Sequence, residues 1–507
     1  VNNPTPDGYL GSDARISSGP APELIAAGYA LELADAPLLH DGLLYADLAH
    51  VIALSESGLL DTETAGKLLA GLLEMGEVSV NDFPYDVVLG DAYNSREKEL
   101  DRRLGATAGY VHLGRTRREA GRIAFRLAIR DRIELLAIAT AGFVDALSAR
   151  AEEFADAPWA DVTYLQLAQP STFGHYLASF AEEAARHLPR LRMAHSWVDV
   201  SPAGSGGVAG TRMSLDRSRL AELLGFGAVG RNTRDTMWTI DGLIDVTTAA
   251  VQTVITADRL AEDLLIFASA GFGLVTIDAS LCRASVLMPQ KRNPYALSVI
   301  RAGASTMVGR LTGTVTTART PSASTDNWLH TYGEVASSLE LARRLVELAT
   351  AVVRTLHINR EALAASAADQ QTASTDIADE LVLTGGLDYR TAYRIVGRTI
   401  AHALSSGERV NMMMLNQSAI AVTGSGLPAA AQNIDLNSLL DVASIVGSRH
   451  ESGGCSPQSV LTEVADLRMA TKTERDWFDT RRETGSAAIT SLVKLARDLA
   501  EAFNPSQ

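Results

Sequence analysis

The sequence predicts a mainly α-helical protein of three domains organised around a long central helical bundle. Three observations lead there. Ala and Leu outweigh β-branched and aromatic residues in most long segments, a composition that favours helix. Apolar residues recur at three- and four-residue spacing over several stretches of roughly 25 to 35 residues, far above the usual helix length. At 507 residues the chain is also too long for one small core, so more than one domain is expected. The boundaries fall at 1–114 (a small helical domain), 115–358 (the long-helix bundle) and 359–507 (a C-terminal helical domain).

Residues 1–19, with two prolines and several glycines, read as a mobile arm. Two or three short helices follow over 22–75, with breaks near Gly58 and Gly76, and another over 92–104 ending at Gly105. Next comes Tyr110-Val111-His112-Leu113-Gly114-Arg115-Thr116-Arg117-Arg118-Glu119. Arg118, Arg122, Arg126 and Arg130 lie at spacing four, one stripe on a helix over about 117–149. The stripe is open to two readings, a solvated face or part of an anion site. Arg115, Thr116, Arg117 and Arg118 sit where loop becomes helix, and a helix N-terminus adds free N–H groups and a positive end suited to carboxylate or phosphate.

After Pro158 comes Thr163-Tyr164-Leu165-Gln166-Leu167-Ala168-Gln169-Pro170-Ser171, with Ser171 or Thr172 placed to cap the next helix. His175 and His187 have no metal-ligand company and read as packing or surface histidines. Gly204-Ser205-Gly206-Gly207-Val208-Ala209-Gly210-Thr211 lets the backbone turn tightly and expose N–H groups. It lacks the lysine of a phosphate loop and the placement of a dinucleotide fingerprint. A short helix (215–224), a long apolar one (240–272), and further long helices to about 317 and over 334–356 complete the bundle, and rods of this kind usually bury their remaining faces by oligomerising. Shorter helices over 375–384, 388–405 and 436–446 precede two final ones, 463–483 and 485–503.

The formal charge of −15 argues against nucleic acid or an anionic membrane as partner. An anionic ligand therefore needs a local cationic pocket. Cys282 and Cys455 stand far apart without companions, so neither a disulfide framework nor a zinc site is indicated and a reducing cytoplasm is expected. Neither a leader pattern nor an apolar run of membrane-spanning length is found.

Between two long apolar segments stands Ala284-Ser285-Val286-Leu287-Met288-Pro289-Gln290-Lys291-Arg292-Asn293-Pro294. It concentrates a hydroxyl, cations and an amide in a loop whose prolines resist absorption into either helix. A polar connector is the plain alternative. The stretch resembles the signature loop of the fumarase/aspartase superfamily, Gly-Ser-Ser-x-Met-Pro-x-Lys-x-Asn-Pro, in the Met-Pro-Gln-Lys form of its argininosuccinate lyase branch. Leu113 to Glu119 is similar to that branch's His-Thr-Gly-Arg-Ser-Arg-Asn-Asp, Thr163 to Pro170 to its Thr-His-Leu-Gln-Arg-Ala-Gln-Pro, and Gly204 to Thr211 to its Gly-Ser-Gly-Ala-Leu-Ala-Gly-Thr. Further matches lie at Thr375 to Asp379, Ile395 to Gly397 and Gly453 to Pro457.

The resemblance implies a homotetramer with a twenty-helix core, active sites shared by three subunits, and reversible β-elimination that releases fumarate from a substituted succinate without metal or cofactor. Ser285 falls on the position that takes the Cβ proton, with Lys291 and Asn293 as its catalytic neighbours. Arg115, Thr116, Arg117, Arg118, Thr163, Tyr164, Gln166 and Met288 are the expected substrate-binding positions. An enediolate dianion needs positive charge and donors where charge develops, and these residue types supply them. Departures bear on the substrate. The family's second-motif histidine is Tyr164 and its paired glutamate is Ser298, so a His–Glu relay is absent. A secondary ammonium leaving as a neutral amine would not need one, and Tyr164 would then position it. Ser324, Leu329 and Tyr332 stand where the branch holds arginine, and Arg118 replaces an asparagine. More cationic capacity without a guanidinium pocket looks like the ethylenediamine-N,N′-disuccinate (EDDS) lyases, which act on aminopolycarboxylates. A rearranged argininosuccinate lyase, another fumarate-releasing lyase, and a catalytically silent homologue are the alternatives.

Overall fold

The computed structural model describes residues 9–10, 14–324, 328 and 331–503. The expected arm at 1–19 therefore lies partly, and Leu329 wholly, outside the described residues. Short helical turns to Ala34 lead into α1 (Ala36–Glu56), α2 (Thr62–Gly76) and α3 (Ala92–Leu104). Asp61 and Asp91 cap α2 and α3 by accepting the N–H groups of Thr64 and Asn94, which satisfies donors that a helix start leaves free.

α4 (Arg117–Glu153) has 37 residues, about 55 Å at 1.5 Å per residue. It is the axis of the molecule. α1 packs along it, and Gly42 allows the close approach, because a Cβ there would sit 2.6 Å from Ala124 Cα. α5 (Phe173–Ala185) covers its C-terminal half, and α6 (His187–Val198) meets it at Arg126 and Glu134. α7 (Asp241–Phe267), α8 (Tyr295–Thr317) and α9 (Thr331–Thr355) pack beside it as a bundle. In α7 the buried face runs through Val246, Ala250, Val254, Ala257, Ala261 and Leu264, the three–four spacing that the sequence displays. Each buried Val or Leu contributes about 1.5–3 kcal/mol.

A second, smaller hydrophobic cluster is built from Ile377, Leu381, Ile395, Val396, Met414 and Leu415 with their neighbours. It sits in α10 (Ser374–Leu383), α11 (Tyr389–Ser406) and α12 (Met412–Thr423); α12 was not anticipated. The expected helix over 436–446 is interrupted, into Leu436–Leu439 and Val442–Ser448. The two expected final helices are one, α13 (Pro457–Phe503), of 47 residues. Gly485 does not end it. A Cβ at Gly485 would stand 3.0 Å from Arg130 Nη2, and one at Gly225 would stand 3.3 Å from Gly485 Cα, so the glycine serves close packing across α4. Val460, Val464, Leu467, Phe478 and Leu492 of α13 join the main core.

Candidate active site

The first motif forms the start of α4. Thr116 is the N-cap, its hydroxyl accepting the Glu119 N–H at 3.3 Å. Arg115 is buried, donating to Ala46 O at 2.9 Å and to the Tyr93 hydroxyl at 3.0 Å, and pairing with Asp47. Its charge ties α1 to the head of α4. Burial pushes the Tyr93 phenol up to about 12. Arg117 pairs with Asp91 at 3.1 Å, and Arg118 lines a cavity beside it.

Further along, the arginine stripe is neither a solvated face nor an open anion site. Arg122, Arg126 and Arg130 are buried. Arg126 lies over the Trp197 ring, 4.4 Å from its centroid, and donates to the carbonyls of Trp197, Val200 and Thr236 at 2.7, 2.9 and 3.3 Å. Burial pulls its pKa down to about 10. Arg130 bonds Gly225 O and, at 3.2 Å, Asp199. The stripe sews α4 to the loops of 197–238. Glu119, on the same turn as Thr116, accepts the N–H groups of Gly204, at 2.7 Å, and Gly206. Burial raises its pKa to about 7 against the pull of Arg115. The glycine run thereby gives its exposed donors to a carboxylate of the first motif.

At the other end of α4 the second motif is a hairpin. β1 (Pro158–Thr163) pairs antiparallel with β2 (Gln166–Thr172), Thr163 opposite Gln166. The two-residue turn is Tyr164-Leu165, with φ of 52° and 58°, the geometry that Asn-Gly adopts easily and bulky residues resist. Tyr164 is 98% exposed at the tip, and Thr163 and Gln166 are exposed beside it. At the base, Thr172 caps α5 and Arg449 links Pro170 O to Asp376, at 3.3 Å and at 2.9 and 3.0 Å. His187 is buried against the Thr256 hydroxyl at 2.7 Å, and burial lowers its pKa to about 4, so it packs as a neutral ring.

The signature stretch is a second hairpin. β3 (Arg283–Ala284) pairs with β4 (Arg292–Asn293), and residues 285–291 form the loop. Ser285 Oγ accepts the Met288 N–H at 3.0 Å, and Asn293 Nδ2 donates to Arg283 O at 3.0 Å. Lys291 is exposed and makes no ion pair among the described residues. Val286 and Leu287 are 109% and 85% exposed.

Contacts place both hairpins at the C-terminal end of α4. Trp159 of β1 meets Phe267 with ring centroids 5.7 Å apart, Asp278 lies 3.6 Å from His357 beyond α9, and Arg150 of α4 donates to Leu356 O. Arg117 and Arg118 stand at the opposite end. One chain therefore separates the predicted residues into groups along a rod of about 55 Å, too far for any small substrate to bridge. Sequence reasoning missed the cavity lined by Glu32, Asp35, Asp91, Arg122 and Trp328 beside Arg118. The Glu32-x-x-Asp35 spacing was its only local signal. Among the described residues no cluster of His, Cys, Asp and Glu is placed to hold a metal, and no helix is long and apolar enough to cross a membrane.

The sequence profile of a family described as "Lyase" matches residues 46–309, and that of "Argininosuccinate lyase C-terminal" matches 371–447. The chain is 30% identical over 459 residues to the argininosuccinate lyase of Methanoculleus marisnigri, covering 90% of this chain and 92% of that one. The chain belongs to the argininosuccinate lyase-like branch of the fumarase/aspartase superfamily. This lyase is also 31% identical over 457 residues to argininosuccinate lyase 1 of Mesorhizobium japonicum, covering 89% of this chain and 95% of that one. In structure it is similar to an EDDS lyase in complex with formate and to an EDDS lyase variant with bound fumarate, each with a TM-score of 0.86, 26% identity, and coverage of 97% of this chain and 98% of the other. The lyase is thus an enzyme of the fumarate-releasing carbon–nitrogen class.

Proposed function

We propose that this lyase eliminates an amine from an N-substituted aspartate, an aminopolycarboxylate such as ethylenediamine-N,N′-disuccinate, to give fumarate, with Ser285 as the general base. The observation that carries the reading is the N–H of Met288 aimed at Ser285 Oγ at 3.0 Å. A donor fixed on that oxygen lowers the cost of its alkoxide, the form in which serine can take a proton. Lys291 and Asn293 flank it on the same hairpin and would meet the carboxylate whose enediolate forms. Arg117 and Arg118, with Thr116 at the helix start, supply charge for further carboxylates.

The separation of the two ends of α4 and the bare Val286-Leu287 tip support a site closed by other copies of the chain, a homotetramer with each site shared by three subunits. The outward face of α8 fits this. It presents Ala302, Ser305, Val308, Gly309, Thr312 and Val315 to solvent, small and apolar groups that another helix could approach closely. In that assembly Tyr164 would reach a neighbouring site and position the leaving nitrogen, which departs as a neutral amine from an ammonium without a histidine acid.

Fumarate release from ethylenediamine-N,N′-disuccinate, followed by ultraviolet absorbance, tests the reading, with argininosuccinate as the competing substrate. Release from the first and not the second supports it; the reverse result assigns argininosuccinate. A Tyr164→Phe enzyme keeps most of its turnover if Tyr164 only positions, and loses several orders of magnitude if it is the acid.

A further inference from the structure

Two stretches near the C-terminus that the sequence singles out, Thr375 to Asp379 and Gly453 to Pro457, have no part in the chemistry above. They meet at a residue that neither contains, Arg449, which follows the short helix Val442–Ser448. Its Nη2 lies on both carboxylate oxygens of Asp376, at 2.9 and 3.0 Å, and Asp376 stands in the first turn of α10. The glycine turn closes on the Arg449 backbone. The Ser456 N–H donates to Arg449 O at 3.2 Å, and a Cβ at Gly454 would stand 2.3 Å from that oxygen, so the approach needs a glycine. The first stretch therefore orients the guanidinium and the second holds its backbone.

What Arg449 reaches is the base of the second-motif hairpin. Its Nη1 donates to Pro170 O at 3.3 Å, shared with Ile445 O at 3.4 Å. Proline has no N–H, so the carbonyl is the backbone group by which this position of β2 can be held. Beside it, Thr172 Oγ1 donates to Cys455 O at 3.3 Å, and His175 Nε2 lies 3.2 Å from Gly453 O. β1 is anchored mostly in the bundle, where the buried Trp159 meets Phe173 and Phe267 with ring centroids 5.4 and 5.7 Å apart, and Ser366 Oγ adds one bond by accepting the Ala160 N–H at 3.1 Å. Beyond the base the register shifts between Ala160 and Val162, leaving the pairs Val162–Leu167 and Thr163–Gln166, and residues 163–167 are exposed. A ribbon this short is not rigid by itself. The direction of its tip is therefore set at the base, where β2 meets Arg449.

We infer that Arg449, oriented by Asp376, is a positioning residue of the reaction: through Pro170 O it aims the hairpin and so sets where Thr163, Tyr164 and Gln166 stand. The inference rests on the reading that Tyr164 serves a site, and adds that the C-terminal domain, which lends that site no predicted residue, governs its geometry. A guanidinium suits the task because its planar fork meets Asp376 and Pro170 O together at a fixed angle, whereas the point charge of a lysine would meet one of them at a time. A reacting group displaced by about 1 Å loses up to roughly 10²-fold in rate, so a bond at the hairpin base shows in turnover although it touches no substrate.

The test runs the reaction backwards in the full-length protein, fumarate with ethylenediamine or with arginine, well below the melting temperature. Arg449→Lys should lower kcat about 10–100-fold with the KM for fumarate unchanged. Asp376→Asn, which weakens the pair from the other side, should do the same in smaller measure. Tyr164→Ala removes the ring that the hairpin presents, and the double variant with Arg449→Lys should fall no further than Tyr164→Ala alone, because residues that act through one another are not additive. A clamp with a structural role alone would lower the melting midpoint and leave kcat of the folded enzyme intact. That result overturns the inference, as do additive losses in the double variant. If neither amine adds to fumarate in the wild type, or Tyr164→Ala leaves kcat unchanged, the reading of the site fails instead. The grip on the hairpin is then judged by hydrogen exchange, where faster exchange of amides 160–170 in Arg449→Lys, with those of α4 unchanged, upholds it and unaltered exchange overturns it.

Discussion

At the N-terminal end of α4, Arg115, Arg126 and Arg130 are buried and held by carbonyls and carboxylates of their own chain, whereas at the other end Tyr164, Val286 and Leu287 stand in solvent. The first end satisfies these arginines within one chain and carries charge inside. The second exposes apolar groups and a strained turn on short hairpins. The difference separates two jobs. On the function proposed above, the buried arginines of the first end set stability, and the residues on the bare hairpins act once another copy covers them.

The comparison breaks most sharply at Ser285. Ser285→Ala should cost about 10²–10⁴-fold in kcat, the range for a general base, while thermal unfolding stays unchanged, because the serine's bond lies within an exposed loop. Loss of both stability and activity would mean that the hairpin is part of the core. Mixing this variant with Arg118→Ala in unfolded form and refolding them together should restore part of the activity if the two ends belong to sites built from different chains.

Next in size is Arg126→Ala. The substitution strips donors from the carbonyls of Trp197, Val200 and Thr236 and empties the space under Trp197. An unfolding free energy lower by about 3–5 kcal/mol is expected in urea, as when one partner of a buried polar set is removed. A loss below about 1 kcal/mol would return the stripe to the solvated reading.

Glu119 gives a smaller effect with a sign. Its pKa is raised from 4.5 to about 7 in the fold, so the native state holds a proton that the unfolded chain has lost between these values. Stability from that proton is full below about pH 4.5 and lost as pH rises through 7. Glu119→Gln cannot ionise. It should therefore gain on the wild type between pH 5 and 8, by about 1–3 kcal/mol for a shift of this size, in melting curves taken across the range. A constant difference would place the proton elsewhere.

Much of the fold is legible in the sequence because it is local. The spacing of apolar residues in α7, the change from loop to helix at Thr116, the cap at Ser171 or Thr172, and the order of the motifs are all read within short windows. What is not legible depends on partners far away. Four-residue spacing of Arg118, Arg122, Arg126 and Arg130 cannot show that carbonyls between residues 197 and 237 receive three of them. Gly485 reads as a helix end until Arg130 and Gly225 are placed against it. Glu32 and Asp35 look like ordinary helix-surface acids, and only Trp328 and Arg122, some 300 and 90 residues away in sequence, turn them into a cavity wall.

The smallest expected effect lies at the turn of the second motif. Leu165 has a φ of 58°, where a side chain with a Cβ costs about 1–2 kcal/mol, and glycine would adopt the same geometry freely. Leu165→Gly offsets part of that gain by loosening the unfolded chain, by about 0.4–1 kcal/mol, so a net stabilisation of about 0.5–1 kcal/mol should appear in unfolding curves. Its effect on turnover should run the other way. Leu165 is the stiff neighbour that fixes the direction of Tyr164, and a glycine there frees the tip, so kcat should fall severalfold with the KM for fumarate unchanged in the reverse reaction. A gain in stability together with unchanged turnover would show that the turn tolerates its bulky residues without using them, and Tyr164 would then lose its place in the site.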